Sequence, residues 1–259
     1  MPWARTGSAG TVSPLYPSRK RFGAAVHRCY TLDMYFKSRA EAGKTLAAQI
    51  VKKYAGTPCA VVGLSDGGVM VGVQIALALQ CVLTMLLSES IELPREPEAI
   101  AGISQDGAFS YNAAYSPGEI EEIVGEYRSL IEQEKMEKMH SMQHGLGHGG
   151  LIRKDLLQGH NVILVADGLT NGFSLDIAAE YLKPIHIGKL IVATPLASIK
   201  AVDRMHILAD EIFCLSVIED YITTDHYYDI QDIPSHDQVV RSVEQIVLNW
   251  KEKPAKAQA

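Results

Sequence analysis

Five short apolar runs punctuate this chain, and most are separated by a helical pattern of about ten residues or more. They are "CAVVGL" at 59–64, "VLTMLL" at 82–87, and the stretches 161–166, 188–194 and 211–217. Apolar runs of this length suit strands buried on both faces. The helical patterns between them supply the crossovers that parallel strands require. The pattern predicts an α/β fold, a parallel sheet covered by helices on both faces. In such sheets a ligand sits at the carboxyl ends of the strands, near the point where strand order reverses.

The remaining elements follow from local signals. "SRAEAGKTLAAQIVKKY", 38–54, reads as a helix: Ser38 caps, Glu41 stands three residues later, and Ala42, Leu46, Ile50 and Val51 make an apolar stripe. "SDGG" at 65–68 reads as a turn before the apolar helix "VMVGVQIALAL". "AIAGISQDGAFSYN" reads as a hairpin about Gln105, Asp106 and Gly107. A long polar helix spans about 117–142 and ends at the glycines of "QHGLGHGG". Further helices are expected over 173–183, 197–208 and about 236–250.

Charge is unevenly spread. The whole chain carries -6, but residues 1–32 hold five bases and no acid, which leaves 19 Lys+Arg against 30 Asp+Glu, or -11, on the rest. An acidic body argues against nucleic-acid binding, which depends on neutralising phosphates. No apolar run reaches the roughly 20 residues of a membrane helix. Residues 1–33, rich in Ser, Gly, Pro, Ala and Arg, read as a disordered basic leader ahead of one domain over 34–259; an Arg- and Ser-rich transit segment is the other reading. Cys59, Cys81 and Cys214 lie in or beside apolar runs and Cys29 in the leader, without metal-ligand spacing. This suits reduced thiols in a cytoplasmic protein.

Two glycine-bearing turns follow strands and are the leading candidates for the two sides of one site. The first is Ser65, Asp66, Gly67 and Gly68. The second lies in "VILVADGLTNG", where a strand runs into Asp167, Gly168, Leu169, Thr170, Asn171 and Gly172 before a helix from Phe173, with Ser174 nearby. Backbone N–H groups at a helix start hold an anion, and a carboxylate at a strand end holds hydroxyls or a metal.

Taken with "YFKSRAEAGKTLA", "VVGLSDGGVMVGVQIA", "PEAIAGISQDG", "YNAAY", "IVATPLASIKAVDRM", "ADEIFCLSVIEDY" and "YYDIQDIPSHDQVV", these turns give a sequence that resembles the type I phosphoribosyltransferase family over roughly 35–250. It is closest to the broad bacterial phosphoribosyltransferase-like branch. The resemblance implies a parallel-sheet phosphoribosyltransferase fold with a small hood. It also implies binding of 5-phosphoribosyl-1-pyrophosphate with Mg2+, whose pyrophosphate is exchanged for a nucleobase or another nucleophile. By the same resemblance, acids at the end of the central strand hold the ribose hydroxyls and the turn after them wraps the 5'-phosphate. The turn after the first strand holds pyrophosphate, helped by Arg and Lys of nearby loops.

Against that pattern the chain departs at several positions. The acidic pair is reduced to Ala166 and Asp167. The Thr-Gly turn is written Asn171-Gly172, and Phe173 follows where a small residue is usual. Asp66 stands where the branch has Arg, Ser88-Glu89-Ser90 replaces a basic segment, and the lid carries His140, His144 and His148 instead of permanent cations. One opposed unit charge at about 4 Å is worth up to roughly 4 kcal/mol at an effective dielectric near 20, so Arg to Asp swings binding by up to about twice that before relaxation.

Three readings follow. The first is a divergent, weak or inactive phosphoribosyltransferase-like protein that binds a phosphorylated ribose or nucleotide. The second is a working Mg2+-dependent transferase with Asp167 as its ribose-side carboxylate. The third is a structural subunit that pairs with a complete paralogue; a homo-oligomer also fits the fold. The histidine trio reads as a polar lid rather than a metal site, since Gly145 and Gly147 interrupt its helix. Tyr221, His226, Tyr227 and Tyr228 read either as packing at the sheet edge or as the floor of a base pocket.

Overall fold

The computed structural model describes residues 35–145 and 154–251. Helix α1 (Arg39–Tyr54) leads into β1 (Cys59–Gly63), α2 (Asp66–Leu79) and β2 (Val82–Met85). Three short strands follow, β3 (Ser88–Ile91), β4 (Ala101–Ser104) and β5 (Phe109–Tyr111), and then α3 (Pro117–Gly145), which kinks at Tyr127. The chain returns through β6 (Asn161–Val165), α4 (Phe173–Leu182), β7 (Leu190–Ser198), α5 (Ile199–Leu208), β8 (Glu211–Ile218) and α6 (His236–Lys251).

The five long strands make one parallel sheet in the order β2-β1-β6-β7-β8. Alternate residues feed opposite faces, as the period of a strand demands. Val61, Ile163, Val165, Ile191 and Ala193 face a core shared with α1, α2 and α6. Ala60, Val62, Val162, Leu164 and Val192 face a core shared with α4 and α5. The antiparallel β3–β4–β5 sheet and the first half of α3 enclose a third, smaller core around Ile91, Ile100 and Ile131. This is the hood, and its β4 and β5 rest on α4.

The chain adds β2 outside β1 on one side, then β7 and β8 outside β6 on the other. Strand order therefore reverses between β1 and β6, which opens a crevice at their carboxyl ends. Ser65 and Asp167 stand two residues past those ends.

Three expectations shift. Residues 66–68 are not a turn ahead of α2 but its first turn, because Ser65 caps it: its Oγ accepts from Gly68 N at 2.9 Å and its carbonyl from Val69 N at 2.8 Å. β7 runs on to Ser198 because the loop after β6 pairs with it, Leu169 N donating to Leu196 O and Ser198 N to Leu169 O. "SESI" forms β3 despite its polar pattern, since its partner β4 supplies the ladder. The expectation for residues 1–33 lies outside the described residues.

Candidate functional site

The crevice is organised by a buried arginine. Arg39, the first residue of α1, is 1% exposed. Its Nε donates to Asp167 Oδ2 at 2.8 Å, and Ser65 Oγ donates to Asp167 Oδ1 at 2.9 Å. The rest of the guanidinium turns to the segment after β8. It donates to Asp225 at 2.5 Å and Gln231 at 3.3 Å, lies 3.8 Å from Asp232, and sits 4.5 Å from the centre of the Tyr228 ring. Burial works against the Arg39 charge, but the hydrogen bonds and charges of Asp167 and Asp225 outweigh it and hold its pKa above the ordinary value.

Asp167 is thus 7% exposed with both carboxylate oxygens engaged inside the protein. Its carbonyl accepts from the Tyr228 hydroxyl at 2.7 Å. A Cβ added to Gly67 would fall 2.0 Å from Asp167 Oδ2, so the start of α2 lies directly on this ion pair. On its other side, a Cβ on Gly168 would fall 2.2 Å from the Tyr221 hydroxyl. Burial pushes the Tyr221 phenol up to about 12, and the Asp167 charge adds to the shift. Tyr227 and Tyr228 are buried in the core, so these two rings pack the fold, while His226 is exposed.

The tip of the second turn remains open, while Leu169 and Gly172 are buried. Thr170 and Asn171 are exposed and Gly172 is left-handed, φ 75°. Asn171 Oδ1 accepts from Phe173 N at 3.0 Å, and Ser198 Oγ donates to Thr170 O. Among the described residues, the N–H groups of Thr170, Asn171, Gly172 and Ser174 meet no acceptor. They cluster at the start of α4, where the helix dipole favours an anion.

The first turn borders a cleft of about 370 Å3 that also touches the ends of β2, β3 and α3. Among the described residues its polar lining is Ser65, Asp66, Ser88, Glu89, Ser141 and His236, with neither Lys nor Arg. Asp66 Oδ1 meets His236 Nδ1 at 2.9 Å, which joins the starts of α2 and α6. Lys138 reaches Glu89 at 3.8 Å from beyond this lining.

The structure therefore brings both turns to one crevice and joins them through the Ser65–Asp167 hydrogen bond. The expected site did not include Arg39, Asp225, Gln231, Asp232 or His236. One signal for Arg39 was present: it falls on the apolar stripe of α1 with Ala42, Gly43 and Leu46, where a charge needs a buried partner. His140 is an exposed residue of α3, and His148 lies outside the described residues. No group of three or more His, Cys, Asp or Glu able to hold a metal occurs among the described residues, and no helix among them is long and apolar enough to cross a membrane.

A family model described as "Phosphoribosyl transferase domain" matches residues 32–231. "Putative phosphoribosyl transferase Rv0571c" of Mycobacterium tuberculosis H37Rv is 26% identical over 226 residues, covering 85% of this chain and 49% of that protein. "Putative phosphoribosyl transferase MT0597" of strain CDC 1551 gives the same figures, so the chain spans about half the length of these curated relatives. Among solved structures, TT1426 from Thermus thermophilus superposes with a TM-score of 0.62 at 26% identity, covering 84% of this chain and 99% of that one.

Proposed function

The chain belongs to the phosphoribosyl transferase family, and within it we propose that it is a divergent member that binds the phosphate of a phosphorylated ribose or nucleotide without efficient pyrophosphate transfer. Its five-stranded sheet and hood are the type I fold implied by the motifs. The observation that carries the reading is the cleft lining: Asp66 and Glu89 face the space assigned to pyrophosphate, and among the described residues no Lys or Arg lines it. A pyrophosphate there meets repulsion where transfer needs attraction. Asp167 supports the same reading, since its oxygens already hold Arg39 and Ser65 and a ribose diol would have to compete with both. The N–H groups of Thr170, Asn171, Gly172 and Ser174, which meet no acceptor among the described residues, supply what a single phosphate needs.

A working Mg2+-dependent transferase is the alternative. Mg2+ is held by one or two carboxylates together with substrate phosphates, and Asp66 and Glu89 provide two in one cleft. The ion would supply the charge neutralisation that the lining lacks.

Calorimetric titration with ribose 5-phosphate, beside phosphoribosyl pyrophosphate plus Mg2+, tests the proposal. Phosphoribosyl pyrophosphate is expected to bind no more tightly than ribose 5-phosphate, with no turnover when a nucleobase is added. Turnover of phosphoribosyl pyrophosphate with a nucleobase at ordinary enzyme rates overturns it and leaves the transferase reading in its place.

A further inference from the structure

At the opposite end of the sheet from the crevice, two thiols stand side by side. β1 and β2 pair in parallel register from Ala60↔Val82 to Gly63↔Met85. One step back on both strands, the same register sets Cys59, the first residue of β1, beside Cys81, the residue before β2. In-register neighbours of a parallel pair leave the sheet on the same face. Both side chains accordingly belong to the one core that α1 and α2 cover. Both are free, at 4% and 7% exposure.

Adjacent strands lie about 4.8 Å apart, within the roughly 4.4–6.8 Å between Cα atoms that a disulfide spans. The turns flanking the pair are open to solvent: Thr57 and Gln80 are both exposed, and Thr57 Oγ1 lies 3.3 Å from Cys59 Sγ.

We propose that Cys59 and Cys81 are a reversible dithiol couple, converted by hydrogen peroxide to an intrachain disulfide across β1 and β2. One sulfur, as thiolate, attacks one peroxide oxygen and breaks the O–O bond, becoming a sulfenic acid; the expelled hydroxide takes up the proton that the thiol gave away and leaves as water. The second sulfur attacks the sulfenic sulfur, forms the S–S bond and expels the hydroxyl, which leaves with the second thiol's proton as another water. The protein loses two electrons and the peroxide gains them. Burial, with Cys59 beside it, pushes the Cys81 thiol up to about 12. Thiolate is therefore scarce at neutral pH, and oxidation quickens in alkaline buffer.

The test uses the full chain, treated with excess peroxide at pH 8, alkylated, digested without reduction and weighed by mass spectrometry. The expected product is a peptide pair joined through Cys59 and Cys81. It should revert to two free thiols with dithiothreitol and be absent from Cys59→Ser and Cys81→Ser. Alkylated thiols at both positions, after a treatment that oxidises the cysteines of the urea-unfolded chain, overturn the proposal, as does pairing of either with Cys29 or Cys214. The unsubstituted chain decides the matter if either variant fails to fold.

Discussion

Arg39 Nε donates to Asp167 Oδ2 at 2.8 Å across 128 residues of sequence, and this one bond ties the start of α1 to the end of β6. Both residues are buried, so removing the cation leaves a carboxylate in the interior without its charge partner. Arg39→Ala should cost about 3–5 kcal/mol, read as a lower urea midpoint with unchanged slope. Arg39→Lys should recover little, because one ammonium cannot reach Asp167, Asp225 and Gln231 together. Asp225 is 63% exposed, so Asp225→Asn should cost no more than about 1 kcal/mol. Equal losses for Arg39→Ala and Asp225→Asn would place the weight of the network outside the buried pair.

Gly172 adopts φ 75°, and a Cβ there would stand 2.9 Å from Arg204 Cβ. Gly172→Ala should cost about 1–2 kcal/mol from the left-handed backbone alone, with more from the contact. It should also weaken ribose 5-phosphate at least tenfold by misplacing the N–H groups of 170–174. Asn171→Ala removes only the acceptor for Phe173 N and should cost about 1 kcal/mol. Denaturation midpoints and calorimetry on both variants separate folding from binding; unchanged affinity in Gly172→Ala would move the phosphate elsewhere.

The parallel sheet and its helices were legible because each of its strands is largely buried on both faces and reads as a mainly apolar run. β3 was not, because "SESI" has neither an apolar run nor a clean alternation, and pairing with β4 decides its state. That the two turns meet at one crevice was legible because each follows a strand whose position in the sheet the crossovers determine. The Arg39 network was not. Its members come from α1, the end of β6 and the segment after β8, and only the folded sheet brings residues 39, 167 and 225–232 together. Periodicity marks Arg39 as facing inward but cannot name its partner.

Acid should unfold the protein through specific carboxylates. Burial raises the Glu211 carboxyl, but hydrogen bonds from Lys53 and Tyr54 outweigh it and hold its pKa below the ordinary value; Asp106 is held down the same way by Lys154 and Ser104. Each contributes stability that is present above the unfolded pKa, ~4.3 for Glu and ~3.9 for Asp, and is lost as pH falls through the lower folded value. Asp176 has the opposite sign: burial outweighs its bond to Arg204 and raises it, so its contribution is present below ~3.9 and fades as pH climbs through its folded value. Urea titrations from pH 3 to 6 should therefore show a shallower rise of stability with pH in Glu211→Gln and a steeper one in Asp176→Asn. The same slope in all three proteins would mean that other groups control the acid limb.

Asp66→Arg tests whether charge in the cleft is what separates this chain from pyrophosphate. The side chain lines the 370 Å3 cleft beside Ser65 and Glu89, so reversing its sign replaces a repulsion with an attraction at the same place. At about 4 Å and an effective dielectric near 20, each half of that change is worth up to roughly 4 kcal/mol, less where water screens it. Even a third of one half is about tenfold in affinity. The substitution also breaks the Asp66–His236 contact between α2 and α6; Asp66→Asn, which removes the repulsion without adding a cation, is the comparison. Asp66→Arg should bind phosphoribosyl pyrophosphate at least tenfold more tightly than the parent, Asp66→Asn, which only removes the repulsion, should gain about half of that in free energy, and ribose 5-phosphate should change little with either. The gain should shrink as salt is raised, as a partly exposed charge requires. If both ligands gain equally, the new cation acts on the ribose phosphate rather than on pyrophosphate. If neither gains, the pyrophosphate does not occupy this cleft, and the missing cations are not what distinguishes the chain.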